Sequence, residues 1–190
     1  MYRIFDLTID FIDRNSIFIF LFHKSYIKRS GGIAAEKDYP YVGDKYSQVC
    51  YFNRSTKVEA KVKFYKWILP DNMREEEAFV NIRDNKPLST EKAVAKAVAT
   101  VGPIGTGLDA TRFQHYRGGI FYNKHYIYDR LHITHAVIIV GYTETYWIIK
   151  NSWGKRWGDD GYIYIARDRG NQCGITSMPL YVVAKENEKP

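Results

Sequence analysis

Hydrophobic and polar positions alternate most regularly in the last third of the chain. Residues 137–140 are a run of β-branched side chains, and a second apolar run covers residues 146–149. In residues 162–166 two tyrosines and an alanine alternate with two isoleucines. Runs of β-branched residues and strict alternation both favour strands. We therefore predict three strands here, the last of them buried on one face only.

A helical pattern lies in the middle of the chain. Ser89 or Thr90 precedes an alanine-rich stretch at residues 91–100, and Gly102-Pro103 follows it. A hydroxyl residue before the stretch and a Gly-Pro pair after it are start and stop signals for a helix. The pattern predicts one helix that starts at Ser89 or Thr90 and ends before Gly102.

Two segments lack a clear pattern. Residues 71–90 are rich in charged side chains, and we predict a solvated loop there. The apolar run at residues 16–22 is too short to span a bilayer and is typical of a buried or aggregation-prone strand. It is not a convincing signal peptide, because Asp6, Asp10 and Asp13 stand where a positive region is expected.

Composition limits the class of protein without deciding it. The chain has 190 residues and 45% hydrophobic content, which is enough for a single domain with a substantial core. Its net charge of +7 comes from scattered residues rather than from a basic stripe, so we do not expect a nucleic-acid partner. Sixteen tyrosines and four tryptophans fit a β-rich body.

The candidate chemistry lies at residues 133–157. His135 precedes the β-branched run, so its ring should be held at the mouth of a strand, and Asn151 follows the second apolar run. An asparagine oxygen can accept the Nδ1 hydrogen of an imidazole and leave Nε2 to exchange a proton with a nucleophile. Trp153 and Trp157 could shield that hydrogen bond from water, which strengthens it.

A metal site is the alternative use of a histidine here. His132 and His135 are three residues apart, a spacing that joins side chains on a helix but sends them to opposite faces of a strand. The remaining histidines are expected on the surface or in loops, without a carboxylate cluster beside them. We therefore predict neither a metal site nor a cofactor.

Five blocks of the sequence, in order along residues 25–183, resemble the cathepsin L-like branch of the papain family of cysteine peptidases. They are GGIAAEKDYPYVG (residues 31–43), AVATVGPIGTGLDA (97–110), FQHYRGGIFYN (113–123), the stretch with His135 and Asn151, and NQCGI (171–175). The resemblance implies an α+β papain-like fold. It divides the chain into an unassigned segment (1–24), a remnant of the helical half (25–60) and the antiparallel β-barrel half (61–190), with an insertion near residues 71–90.

By the resemblance His135 is the general base and acid, and Asn151 orients it. The family's nucleophilic cysteine lies about 130 residues or more before the histidine, and Met1 to Asp10 holds no cysteine there. The glutamine that donates to the oxyanion also has no counterpart. The family's pattern therefore identifies the chain as an N-terminally truncated member.

No other residue is predicted to be the nucleophile. Cys50 and Cys173 match half-cystines of the family whose partners are missing, so we expect two free thiols. Ser152 lies beside Asn151 but lacks a Gly-x-Ser-x-Gly turn. We therefore assign no nucleophile within these 190 residues.

The resemblance also implies a substrate pocket for a bulky hydrophobic side chain. It has Met178 near its floor, with Ile133 and Gly107 as walls.

The predicted function is that of a cathepsin L-like cysteine peptidase that hydrolyses peptide bonds, inactive as this chain because the nucleophile and the oxyanion glutamine are absent. The partners implied are a peptide or protein substrate or a cystatin-like inhibitor, with no nucleic acid and no membrane, in a lysosomal or secreted location. The alternative is a non-catalytic module that binds peptides or inhibitors.

Overall fold

The computed structural model describes residues 27, 31–35, 37–39 and 57–184. The predictions for residues 1–24, for Cys50 and for most of the helical half lie outside these residues. The elements in chain order are β1 (Val62–Trp67), α1 (Glu75–Arg83), α2 (Glu91–Thr100), β2 (Ile104–Leu108), β3 (Ile120–Phe121), a 3₁₀ turn (Arg130–His132), β4 (His135–Tyr142), β5 (Tyr146–Lys150), β6 (Tyr162–Ala166), a second 3₁₀ turn (Gln172–Gly174) and β7 (Leu180–Ala184).

The strands form one seven-stranded sheet in the order β1-β7-β2-β4-β5-β6-β3. All neighbouring strands are antiparallel except the short β3, which runs parallel to β6. Together with the two α-helices found among the described residues, this sheet has the α+β class that the sequence predicts. Strand β4 lies at the middle of the order, so the residue that begins it is held by neighbours on both sides.

The three strands predicted from alternation and apolar runs are β4, β5 and β6. Side chains alternate along β4, where His135, Val137 and Ile139 are buried and the residues between them are half-buried. Strand β6 buries Ile163 and Ile165 completely. These faces form a core with the apolar side of α2, so the side-chain period of two fixes which residues point towards helix α2.

Helix α2 begins where the sequence predicts. Thr90 is its N-cap, and the Thr90 Oγ1 accepts a hydrogen bond from the Ala93 N–H at 3.2 Å. Glu91 in the first turn anchors the helix to the sheet, because its carboxylate accepts from the Trp147 Nε1–H at 3.1 Å. The same carboxylate accepts from the backbone N–H of Asp168 at 2.7 Å and of Asn171 at 3.0 Å. Three donors thus hold the start of α2 against β5 and the turn after β6.

The prediction of a solvated loop over residues 71–90 is wrong, because helix α1 occupies its middle. The acidic residues of its first turn and Arg83 in its last turn suit the helix dipole. Ala78 has no exposed surface and packs in a second apolar cluster with Trp67, Leu88, Met178 and Leu180. Buried Ala78 therefore contributes to docking this helix against the second apolar cluster, whereas the charged residues of the segment had favoured a loop.

Few residues before position 57 are described, so the division into a helical remnant and a barrel half stays a prediction. Ile33 pairs with Ala60 in an isolated antiparallel bridge, which connects the residue after Gly31-Gly32 to the chain just before β1. Throughout the described residues, we find no helix with the length and apolar character needed to cross a membrane.

Candidate active site

His135 and Asn151 meet at one end of the central strands. His135 is the first residue of β4, and Asn151 follows the last residue of β5. The His135 Nε2 lies 2.7 Å from the Asn151 Oδ1. Both residues are more than nine-tenths buried, at 8% and 7% exposure. The structure therefore brings together the two side chains that the sequence selected as a pair.

The ring nitrogen in this contact differs from the prediction, which had Nδ1 facing the asparagine. In the register of β4 and β5, Ile138 pairs with Lys150, so the next residue, Asn151, comes level with Val137. His135 lies two residues before Val137 on the same face of β4. It is therefore a diagonal neighbour of Asn151, with Cα atoms about 7–8 Å apart. The distal nitrogen, Nε2, spans that gap. Nδ1 is then the ring nitrogen that does not face Asn151.

The asparagine is itself held in place. Its Oδ1 also accepts from the backbone N–H of Ser152 at 2.8 Å, and its own backbone N–H donates to the Gly161 carbonyl at 3.0 Å. The Asn151 Nδ2 is buried and has no hydrogen-bond partner among the residues that the structure describes. A side chain fixed through its oxygen presents an acceptor to the imidazole, so Nε2 carries the hydrogen of that bond.

Aromatic rings cover the pair. The rings of His135 and Trp153 have centroids 5.1 Å apart, and Trp153 in turn packs edge-on against Trp157 at 5.0 Å. The Trp157 Nε1 donates to the Phe113 carbonyl at 3.0 Å. A tryptophan that caps the imidazole limits access of water to the hydrogen bond below it.

Phe113 is a supporting residue that sequence analysis did not single out. It is completely buried, and its ring packs against both Trp153 and Trp157, with centroids 6.5 and 6.3 Å away. The one available signal in the sequence is the spacing of three residues between Phe113 and Tyr116, whose ring lies 5.6 Å from that of Trp157. Because this segment is irregular, a helical spacing does not predict which of its side chains lie together.

Cys173 is the one cysteine within the described residues, and it is a free thiol with 3% exposure. Burial, with a smaller effect of the Asp109 carboxylate, raises the pKa of Cys173 to about 12. The reactive form of cysteine is the thiolate, so this thiol is a weak nucleophile near neutral pH. Its state as a free thiol agrees with the expectation for this position.

The structure joins two of the three residues predicted to line a substrate pocket. A Cβ at Gly107 would lie 2.8 Å from the Ile133 Cγ2, so these two positions face each other. Met178 is 4% exposed and packs in the second apolar cluster with Trp67 and Leu88. The assignment of all three to one pocket stays a prediction.

The second histidine of the His132–His135 pair points elsewhere. His132 is exposed at the end of the 3₁₀ turn, with its Nδ1 3.7 Å from the Asp129 carboxylate. Among the described residues, no group of three or more His, Cys, Asp or Glu side chains could hold a metal ion.

Comparison with known proteins gives one consistent family. The profile of the papain family of cysteine proteases matches residues 22–183. Cathepsin K of Mus musculus is 40% identical over 162 residues, which cover 82% of this chain and 42% of that protein. Procathepsin L of Rattus norvegicus is 37% identical over 168 residues, covering 83% of this chain and 43% of that protein. This chain thus spans less than half the length of these curated relatives.

A solved structure supports the same assignment. The digestive procathepsin L 3 of Tenebrio molitor larval midgut superposes with a TM-score of 0.64 at 32% identity, covering 84% of this chain and 46% of that one. The family profile extends over the strands that position His135 and Asn151. The chain therefore belongs to the papain family of cysteine proteases, as a cathepsin L-like member.

Proposed function

We propose that this chain carries the histidine–asparagine half of a cysteine peptidase active site, with His135 as the general base and acid and Asn151 as its orienting partner. The observation that supports this most is the 2.7 Å contact between the His135 Nε2 and the Asn151 Oδ1 under the Trp153 ring. Asn151 fixes the ring orientation, and Nδ1 exchanges the proton. In peptide hydrolysis the imidazolium stabilises a thiolate, and the ring later protonates the leaving amine.

We propose further that the 190-residue chain alone does not hydrolyse peptides. Cys173 is a weak nucleophile because its thiol is buried and its pKa is raised to about 12. Cys50 corresponds to a half-cystine of the family. The glutamine that would complete the oxyanion site also has no counterpart in this sequence. Catalysis therefore needs a thiol from a segment such as the family's Cys-Gly-Ser-Cys-Trp-type motif.

The substrate of the completed enzyme is a protein or peptide with a bulky hydrophobic side chain near the scissile bond. Gly107, Ile133 and Met178 are all apolar, and two of them face each other next to the start of β4. A cystatin-like inhibitor would occupy the same substrate cleft, which we place beside these residues and His135. A lysosomal or secreted location follows from the family resemblance.

The first test measures turnover by the purified chain of a fluorogenic dipeptide with a bulky hydrophobic residue next to arginine. We expect no turnover above background, since loss of a nucleophile costs about six orders of magnitude in serine peptidases. Mixing the chain with the separately expressed N-terminal half of a cathepsin L-like relative, which carries the cysteine motif, should restore turnover that a thiol-trapping epoxide abolishes.

Matched histidine variants separate the proposed role from a general effect on folding. His135→Ala should abolish the restored turnover, whereas His132→Ala, three residues earlier and exposed, should retain it. Asn151→Ala should lower turnover with the protein still folded. Restored turnover that survives His135→Ala would contradict the assignment. Turnover by the chain alone that Cys50→Ala or Cys173→Ala removes would reveal a relocated nucleophile.

A second candidate is a non-catalytic module that binds peptides or inhibitors through the same cleft. It is favoured by the lack of a reactive thiol among the described residues. If the mixture with the complementing half gives no turnover while the chain still binds a cystatin-like inhibitor, this second function replaces the first.

A further inference from the structure

The segment of residues 122–132, between β3 and the start of β4, is irregular but well anchored. The Asn123 N–H donates to the Oε1 of the buried Gln172 at 2.9 Å. The Arg130 N–H donates to the Asn85 Oδ1 at 2.8 Å, and the Leu131 N–H donates to the Asp129 Oδ1 at 3.0 Å. These bonds fix the backbone at both ends of the segment.

Two large aliphatic side chains in this segment point into solvent. Ile127 is 83% exposed and Leu131 is 72% exposed, the two highest values among the exposed large hydrophobic residues. Tyr126 and Tyr128 beside Ile127 are half-buried, and Ile133 is buried. The inward side chains and these hydrogen bonds therefore hold the backbone of Ile127 and Leu131 in place, so binding a partner through them would cost little additional backbone ordering.

The surroundings of these two side chains are basic. Lys124 is exposed, and neither Lys124 nor Arg130 forms an ion pair in the part of the chain that the structure describes. The acid of the segment, Asp129, is already engaged by the Leu131 N–H and by His132.

The loop that contacts the segment through Asn85 adds to this basic character. It contributes the exposed Lys86, while the carboxylate of Asp84 pairs with Arg83 at 3.5 Å. Exposed aliphatic side chains in a segment that also carries cations without ion pairs are complementary to apolar groups flanked by carboxylates.

We propose that residues 122–132 form a docking surface for an acidic, aliphatic peptide segment of a partner protein. Ile127 and Leu131 would contact its aliphatic side chains, and Lys124, Arg130 and Lys86 its carboxylates. A membrane fits less well, because polybasic lipid-binding segments use clusters of about four to eight Lys and Arg residues. A symmetric contact with a second copy would place the same cations against each other. The surface does not depend on catalysis by His135.

The test uses the full chain with isotope-labelled Ile and Leu methyl groups. A fluorescein-labelled peptide that alternates Glu and Asp with Leu should shift the methyl signals of Ile127 and Leu131 and bind saturably by fluorescence polarisation. A peptide with Gln and Asn in place of the acids should bind at least about ten-fold more weakly, because it lacks the charge complementarity. Added salt should also weaken binding of the acidic peptide, because it screens the charges.

Surface variants assign the binding to this segment. The double variant Ile127→Ser, Leu131→Ser should bind the acidic peptide about ten-fold or more weakly, since two aliphatic side chains no longer become buried on binding. The double variant Lys124→Glu, Arg130→Glu should weaken binding to a similar extent. Val101→Ser, which changes an exposed apolar residue at the end of α2, should leave binding unchanged.

Three results would overturn the proposal. One is that no acidic peptide shifts the two methyl signals at millimolar concentration. Another is that phosphatidylserine vesicles shift them while the peptide does not. The third is that the signals move with protein concentration alone, which would indicate self-association.

Discussion

The centre of the sheet and the outer layer formed by β1, α1 and β7 are built in different ways. In the centre, β4, β5 and β6 bury alternate residues, and their ends hold His135 and Asn151. In the outer layer, α1 docks through Ala78 onto a small cluster that includes Trp67 and Met178. Local periodicity therefore determines the first region, whereas contacts between residues far apart in sequence determine the second.

The long-range character of the outer layer is visible in its backbone as well. The Leu88 N–H donates to the Ser177 carbonyl and the Ser89 N–H to the Thr176 carbonyl, both at 3.1 Å. These bonds link the chain after α1 to the segment before β7, about ninety positions later. Because such pairing depends on the final fold, we expect the outer layer to be separable from the end of the sheet that holds His135 and Asn151. Three substitutions, each with a matched control, test that separation: Gly158→Ala, Leu88→Ala and Thr90→Ala.

The largest effect is expected from Gly158→Ala, in the loop beneath the tryptophans of the candidate site. Gly158 has φ +61°, and an added Cβ would lie 2.4 Å from the Tyr162 carbonyl oxygen. Strained backbone and a clash with main chain should together lower the free energy of unfolding by about 4 kcal/mol. Equilibrium denaturant unfolding measures this, and the histidine–asparagine hydrogen bond should weaken in the folded fraction.

Gly154→Ala is the matched control in the same loop. Gly154 also has a positive φ, +82°, but an added Cβ would meet nothing within 4 Å. Only the left-handed backbone should cost free energy, about 1 kcal/mol. Equal losses from the two substitutions would mean that close packing at Gly158 is unimportant for the site.

Leu88→Ala tests the outer layer. Leu88 is 1% exposed in the second apolar cluster, so its truncation should lower the free energy of unfolding by about 3 kcal/mol. Leu131→Ala, the same change at a 72% exposed position, should cost almost nothing. We expect the NMR signal of the hydrogen on the His135 Nε2 to be retained in Leu88→Ala. Loss of that signal in the folded protein would show that the two regions are coupled.

The same contrast explains what the sequence could predict. The three central strands, the start of α2 and the pairing of His135 with Asn151 follow from alternation, capping residues and motif spacing. The choice of Nε2 over Nδ1 did not, because it depends on the diagonal register of β4 and β5. Helix α1 was not predicted, because the charged residues of its segment favoured a loop and its docking through Ala78 depends on contacts with residues far apart in sequence.

Apart from the control variants, the smallest effect is expected at Thr90, where local sequence explains the structure. The Thr90 Oγ1 accepts from the Ala93 N–H at 3.2 Å and satisfies one unpaired donor of the first turn of α2. Thr90→Ala removes that acceptor and should lower the free energy of unfolding by about 1 kcal/mol. Thr90→Ser keeps a hydroxyl acceptor and should have nearly the same free energy of unfolding as the unchanged protein. Equilibrium unfolding curves of the unchanged protein and the two variants measure this.

Because Glu91 in the same turn accepts three hydrogen bonds from the sheet and the turn after β6, helix α2 should stay docked in Thr90→Ala. A loss of several kcal/mol, or no rescue by serine, would mean that Thr90 acts through tertiary contacts, and that the start of α2 resembles the outer layer rather than the sheet centre.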